Sequence, residues 1–475
     1  MPLILPGNVA TALGGDFEVA NSCRFDGTSA YLHKSTSSGT NTKFTFSAWI
    51  KRSSSGSNYP RILGSYTDGS NYLRLNWNRA ADGEQLHLYS EAGTAAQLLT
   101  NRRFRDPTAW MHIVVAVDTT DGTANDRMKM YINGVQETSF ATRANPDQNA
   151  DFKINNASST ITVGKKEGAD SDYFDGYMAE VVFIDGTQYA ASDFGEFDED
   201  SPRIWKPKAV SGLTFGTNGF YLDFEASANL GNDANGGTDL TEVNLAAIDQ
   251  CVDTCTNNFA TFNPLVVING SAFSEGNCKV VTGSSPYSYD VSTFGVSAGK
   301  WYVEAKYGGS SDDATFGIAG RTATDTTHEL GQYDDTWSYY TGTGASNVRN
   351  NNSNSSYGNT YAADDIIGLA LDLTNNKLYF SKNGTWQNSG DPESGSTGTG
   401  AVSITAASSV TDDVYYIGIG DFDGGASVTW EINFGNPSFS ISSGNADGNG
   451  YGNFEYAPPS GYLSLCTKNL GSDGG

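Results

Sequence analysis

One hairpin is written twice in this chain, and it constrains the fold more than any other feature. Residues 112–135 read HIVVAVDTTDGTANDRMKMYINGV, and residues 366–386 read IIGLALDLTNNKLYFSKNGTW. Each is an apolar strand ending in an aspartate (Asp118, Asp372), then a polar turn, then a short strand carrying a tyrosine (Tyr131, Tyr379). Each closes on Asn-Gly (Asn133-Gly134, Asn383-Gly384). Asn-Gly is the strongest short signal for a tight hairpin, because both residues tolerate the positive φ that such turns need. Two copies far apart in the chain point to two β-domains, not one large enzyme core. That favours display and binding over catalysis.

Composition agrees. The 475 residues include 55 Gly, and Ser, Thr, Asn and Asp fill the gaps between short apolar runs. This is the make-up of an all-β protein with many turns. No long segment follows a period of 3.6, and the best helix candidates are single turns such as Ala190–Phe194. The formal net charge of −26 repels phosphate backbones and anionic lipid, so neither nucleic acid nor membrane is an expected partner. No run reaches the length of a membrane span. The apolar stub in MPLILPGNVATALGG is too short for the core of a signal peptide. The chain is therefore expected to be made in a cytoplasm and to stay soluble. Five scattered cysteines (Cys23, Cys251, Cys255, Cys278, Cys466) lack metal-site or redox spacing. Free thiols are expected, with a disulfide among Cys251, Cys255 and Cys278 as the alternative.

Along the chain, residues 1–20 read as an extended N-terminal arm. Residues 21–205 alternate strands and turns. KFTFSAWIKR places Phe44, Phe46, Ala48 and Ile50 on one face and Thr45, Ser47, Trp49 and Lys51 on the other. YLRLNW, LHLYS and the first hairpin follow. Residues 206–265 read as an irregular connector with short strands, too poor in apolar residues to bury a core of their own. Residues 266–470 return to the β pattern, and 471–475 read as a flexible tail. The expected fold is thus all-β, with two β-sandwich (jelly-roll) domains joined by a connector.

The phrases CRFDGTSAYL (23–32), FTFSAWIKR (44–52), WMHIVVAVD (110–118), MYINGV (130–135) and FDGYMAEVVFID (174–185) resemble, in that order, the concanavalin A-like lectin/glucanase superfamily in its laminin-G-like or pentraxin-like branch. The resemblance implies a jelly roll. GKWYVEAKY (299–307), FGIAG (316–320), DDIIGLALDLTNNKLYFSKNGTW (364–386) and VTWEINFGNP (428–437) resemble a SPRY domain, which implies a protein-binding module without catalytic residues. The pairing is similar to virion structural proteins of marine tailed phages, with MPLILPGNVA, TNNFATFNPL (256–265) and APPSGYLSLCTKNL (457–470) as the matching phrases.

Catalytic patterns are weak. A jelly-roll glycosidase needs two carboxylates facing each other across a cleft. The nearest string is Glu196-Phe197-Asp198-Glu199-Asp200, which ends in Asp, runs into Ser-Pro, and reads as an acidic loop. The four histidines (His33, His87, His112, His328) match no nucleophile or zinc pattern. Calcium is the one cofactor the lectin-like resemblance implies, through rim carboxylates. Its candidate ligands are Asp26, Asp118, Asp121, Asp126, Asp175 and Asp185. Rings that stack on sugar faces are expected at Trp337, Tyr339, Tyr340, Tyr357 and Trp386, in or beside loops of the second domain. Trp49, Trp110, Trp301 and Trp430 are expected to pack in cores.

The reading is a non-enzymatic virion appendage protein, a tail fibre or capsid fibre on the particle surface. It would contact host-surface glycan or other virion proteins and assemble as a homo-oligomer, because weak surface sites gain from multivalency. The alternatives are a glycan depolymerase of lectin/glucanase type and a capsid decoration protein.

Overall fold

The computed structural model describes residues 17–473 apart from 54–57, 92–94, 268–269, 284–286, 310–313, 324–326, 343–344 and 423–426. Two compact units divide between Thr256 and Asn257. Both are built from antiparallel sheets. No helix among the described residues is long and apolar enough to cross a membrane.

In the first unit, one sheet runs in space through Val135–Gln136, Met128–Ile132, Met111–Asp118, Lys43–Arg52, Asp175–Asp185, Ser22–Asp26 and Gln250–Cys251. The other runs through Phe140–Ala144, Ala96–Arg103, Gln85–Ser90, Asn71–Trp77, Arg61–Asp68, Thr160–Val163, Tyr31–Ser35 and Thr241–Val243. Alternation along the strands sends Phe44, Phe46, Ala48 and Ile50 of one sheet and Leu73, Leu75, Leu86 and Leu88 of the other into one core.

The opposite face of the first sheet is also dry. Trp49, Trp110, Tyr177, Val182, Phe194 and Trp205 form a second apolar layer with Cys251 and Cys255. Inside that layer Lys51 Nζ meets Asp253 Oδ2 at 2.7 Å, and Trp110 Nε1 donates to Asp253 Oδ1 at 2.9 Å. Asp253 sits between the two cysteines of CVDTC and ties that segment to the sheet. His112 lies in the same layer, stacked on Trp49 at 4.8 Å. Its Nδ1 accepts from Trp205 Nε1 at 3.0 Å, which leaves Nε2–H to donate to Ser47 Oγ at 2.8 Å. Burial holds its pKa down at about 3, so the ring is a neutral structural bridge.

Residues 206–265 are not a free-standing connector. Phe220–Leu222 pairs with Asp175–Asp185, Thr241–Val243 with Tyr31–Ser35, and Gln250–Cys251 with Ser22–Asp26. Phe220, Leu222, Phe224, Leu230 and Leu240 enter the main core of the first unit. Beyond Thr256, Ala260 and Phe262 enter the core of the second. The stretch is too apolar-poor to fold alone, yet its sparse apolar residues suffice to extend sheets already present. A short helix covers Thr467–Asp473, taking in 471–473 of the expected tail, and 474–475 fall outside the described residues. At the other end, residues 1–16 of the expected arm fall outside the described residues, whereas Val19 is buried in the outer layer. All five cysteines are buried free thiols.

In the second unit, one sheet follows the order Ala272–Ser274, Lys279–Val281, Thr429–Asn433, Lys300–Tyr307, Ile366–Asp372, Lys377–Lys382 and Thr385–Trp386. The other follows Ser288–Val296, Tyr415–Asp421, Ala314–Ala319, Thr336–Gly342, Ala345–Asn350 and Ser353–Ser356. Trp301, Val303, Phe316, Phe380 and Trp430 fill the core they share.

The two hairpins match in detail. Asn133 and Gly134 have φ of 47° and 75°, and Asn383 and Gly384 have 47° and 76°. Each asparagine also acts as a strand residue. Asn133 N donates to His112 O at 2.9 Å while its Oδ1 accepts from His112 N at 2.7 Å. Asn383 makes the same pair of bonds with Ile366, both at 2.8 Å. Each glycine supports a ring from later in the chain: a Cβ on Gly134 would fall 2.2 Å from Trp205, and one on Gly384 2.5 Å from Tyr456. The upstream aspartates match as well, for Lys43 is the register partner of Asp118 and Lys300 of Asp372.

Candidate functional site

The second sheet of the first unit buries one face and turns the other outward. The strands YLRLNW and LHLYS alternate leucine inward with Tyr72, Arg74, His87 and Tyr89 outward. Register sets Tyr66 opposite Tyr72 and Arg74 opposite Tyr89. The Tyr72 and Tyr89 rings stack with centroids 5.7 Å apart and planes at 25°. The Arg74 guanidinium lies 4.7 Å over the Tyr89 ring. His87 Nε2 is 3.2 Å from Gln97 Oε1. Burial, with the Arg74 charge beside it, pushes His87 down to about 4, so it is neutral near pH 7.

Across Arg61–Asp68 the same face sinks into a cleft of about 340 Å³ lined by Tyr31, His33, Tyr66, Thr160, Thr162 and Lys165. Lys165 Nζ lies 4.2 Å over the Tyr31 ring and is hydrogen-bonded to Asp170. These tyrosines, the two histidines and Arg74 are partly exposed, whereas Lys165 is buried. The face therefore offers aromatic planes for apolar sugar faces, flanked by donors and acceptors for hydroxyl groups.

The carboxylates near this face are engaged. Glu167 Oε2 accepts from Arg61 Nε at 2.8 Å, Asp170 accepts from Lys165, and Glu91 accepts from the Tyr89 hydroxyl. The acidic string 196–200 lies elsewhere. Gly195–Phe197 pairs with Trp205–Pro207 in a two-stranded ribbon, where Glu196 and Asp198 face Lys206 at 3.8 and 3.5 Å. Asp198 Oδ1 also accepts from the N–H groups of Asp200 and Ser201, so the string closes a turn. A groove of about 430 Å³ beside it is lined by Tyr131, Gly134, Glu196, Phe197, Trp205 and Lys208.

The six aspartates expected to ligate calcium are not brought to one point. Asp26 is the register partner of Asp175. Burial raises the pKa of its carboxyl, but the N–H groups of Ala30, Ser29 and Thr28 outweigh that and hold it at about 2. Asp118 pairs with Lys43 at 2.8 Å, Asp121 caps Thr123 N at 2.7 Å, and Asp126 lies 3.5 Å from Lys129. Asp185 accepts from Thr40 N, Asn155 Nδ2, and both Asn218 N and Nδ2. Among the described residues no group of three or more His, Cys, Asp or Glu is placed to hold a metal.

The aromatic platform expected in the second unit is corrected. Trp337, Tyr339, Tyr340 and Tyr357 are all buried. DDTWSYY resembles a loop because it opens on two aspartates. The strand begins at Thr336, however, and alternation drives Trp337 and Tyr339 into the core. Tyr339 and Tyr357 pack on Phe380 at 5.2 and 6.0 Å. Trp386 is partly buried and leans on Tyr302 at 6.4 Å. The signal that finds the outward face of the first unit was in plain view, as the polar and aromatic half of the alternation in YLRLNW and LHLYS.

Residues 26–191 match the concanavalin A-like lectin/glucanases superfamily, and residues 300–398 match the SPRY domain. No curated protein matches the chain. Among solved structures, the SPRY domain of human HERC1 is similar with 16% identity and a TM-score of 0.29, over 36% of this chain and 96% of that one. The native heptameric SAP-like pentraxin from Limulus polyphemus is similar with 17% identity and a TM-score of 0.27, over 35% of this chain and 77% of that one. Both family matches are to lectin-type and SPRY-type scaffolds, consistent with a non-enzymatic protein. The chain carries a lectin/glucanase-like domain followed by a SPRY-like domain.

Proposed function

We propose that this protein is a non-enzymatic virion appendage of a tailed phage, a tail-fibre or capsid-fibre component. It holds host-surface glycan on the outward sheet face of its first unit. The observation that carries the glycan role is the ladder Tyr66–Tyr72–Tyr89 with Arg74 and His87 beside it, on rigid strands next to a cleft. Both units are read as jelly-roll-type sandwiches, and the SPRY-like unit contacts other virion proteins. The virion role rests on the three phrases that resemble phage structural proteins. Homo-oligomerisation would multiply weak single-site affinity.

A glycan array probed with the full chain tests the glycan role. Binding that is lost in Tyr72→Ala with Tyr89→Ala, at unchanged melting temperature, supports it. An array with no bound member, or binding unaffected by those changes, overturns it. Imaging of intact phage particles with this chain labelled tests the virion role, and label on no particle surface rejects it.

A further inference from the structure

The outward face holds a cation with no partner. The chain carries 54 acidic side chains against 28 Lys and Arg, so an unpaired guanidinium is conspicuous. Arg61 on the same face is paired with Glu167, and Lys165 with Asp170. Arg74 makes no ion pair among the described residues. Its contact is the stack on Tyr89, and its Nε is buried without a hydrogen-bond partner. Two residues along the same strand, on the same face, Asn76 is 1% exposed. Its Nδ2 donates to Trp77 O at 2.9 Å while its Oδ1 is buried and unpartnered. Buried polar atoms are paired in the great majority of cases, so two adjacent orphans on one face mark a place where a ligand supplies the partners.

A guanidinium presents a planar fork of N–H donors that fits a carboxylate or a sulfate. Arg74 lies over the Tyr89 ring and is partly exposed. Beside it, neutral His87 and its partner Gln97 suit hydroxyl groups. The net charge of −26 argues against a dense polyanion, which the whole surface would repel. It does not prevent one anionic group from meeting one cation within a Debye length.

We infer that the outward sheet face of the first unit selects an otherwise neutral oligosaccharide bearing a single acidic group. Arg74 takes the acid, and Tyr72 and Tyr89 stack on the neighbouring sugar. This rests on the glycan reading above and adds the class of glycan.

The test is a glycan array printed with matched neutral and acidic oligosaccharides, the acidic members carrying a uronate, a sialate or a single sulfate. It is probed with the full chain, with Arg74→Gln and with Arg74→Lys. Acidic members are expected to bind about tenfold or more tighter than their neutral parents. Arg74→Gln should erase that preference, read as the ratio of acidic to neutral binding within the variant. Arg74→Lys should retain only part of it, because it keeps the charge and loses the fork. The carboxylate and sulfate arms show which acid the fork prefers, and a preference for either supports the inference. Melting temperatures of both variants within a few degrees of the parent confirm that the sheet persists, and if Arg74→Gln fails this check, the Arg74→Lys result decides. Equal binding of neutral and acidic members, or a preference that survives Arg74→Gln, overturns the inference while leaving the glycan role standing. Binding to no member at all overturns the glycan role itself.

Discussion

The two units share a hairpin and differ in what lies over their sheets. In the second, each sheet carries an apolar cluster outside the shared core. Tyr289, Val291, Ala319, Ala323 and Leu330 form an apolar layer on one sheet, and Tyr302, Ala370, Tyr379, Phe454 and Tyr462 form one on the other. Among the described residues of the first, one sheet has such a layer. The other presents tyrosines, histidines and arginine to its surroundings. A sheet face covered by its own chain is spent on stability. A face left polar and aromatic is available for recognition.

The units also bury charge differently, and this yields the largest expected effect. The first unit neutralises Lys51 with Asp253, and neither side chain is more than 2% exposed. Removing one partner of such a pair strands the other, at a cost of about 3–5 kcal/mol. Asp253→Ala should destabilise the first unit by that amount and leave hydrogen-exchange protection in the second unchanged. A loss under about 1 kcal/mol would show that the pair is solvated in solution.

The second unit also buries carboxyl groups against neutral donors. Glu304 accepts from Tyr456 N, Tyr302 Oη, Glu455 N and Asn433 Nδ2. Burial still pushes it up to about 7, and burial does the same to Asp290. A folded pKa above the unfolded value means that the folded state holds protons the unfolded chain has released. The stability is complete below about pH 4 and is lost as pH rises through 7, at about 1.4 kcal/mol per pH unit for each group. His112 works in the opposite sense. Its folded pKa of about 3 lies below the unfolded 6.5, so its contribution is complete above 6.5 and lost as pH falls toward 3. In the first unit Glu180, raised to about 7 by burial, opposes it in part. The units should therefore diverge: hydrogen-exchange protection factors, with the intrinsic pH dependence divided out, should fall in the second from pH 5 to pH 7, and Glu304→Gln with Asp290→Asn should flatten that response. An unchanged slope in the double variant would mean that neither carboxyl titrates in this range.

Much of this fold was legible. The hairpins and the leucine-in alternation of YLRLNW and LHLYS follow from period and turn chemistry, and the core places of Trp301 and Trp430 from the SPRY resemblance. What was not legible depends on partners distant in sequence. Nothing near CVDTC says that Asp253 meets Lys51, because the pairing spans most of the first unit. The sparse strands of 206–256 became sheet edges only because complete sheets already stood beside them. The aromatic face needs the register between strands, because YLRLNW and LHLYS place Tyr72 and Tyr89 on one side only once the strands pair.

The glycines of the shared hairpin test whether the likeness is physical. Gly134→Ala and Gly384→Ala each force a Cβ into a ring at a positive φ. Each should cost about 1–3 kcal/mol, read as a shift in chemical denaturation midpoint. If one variant is neutral, its ring moves freely, and the two hairpins are alike only in sequence.

The smallest effect makes the sharpest comparison. Lys43–Asp118 and Lys300–Asp372 occupy the same register position in the two units, at 2.8 and 3.2 Å. The Asp118 side chain is 20% exposed, and that of Asp372 is 0% exposed. Water can replace the lost cation at Asp118, so Lys43→Met should cost at most about 1 kcal/mol. Asp372 is held by the N–H and amide of Asn375 as well, but its buried carboxylate has less solvent to fall back on. Lys300→Met should therefore cost more than Lys43→Met although its ion pair is longer. Equal losses would mean that distance and burial offset each other, and a larger loss at Lys43 would show that the shorter contact, not desolvation of the aspartate, governs this position in both units.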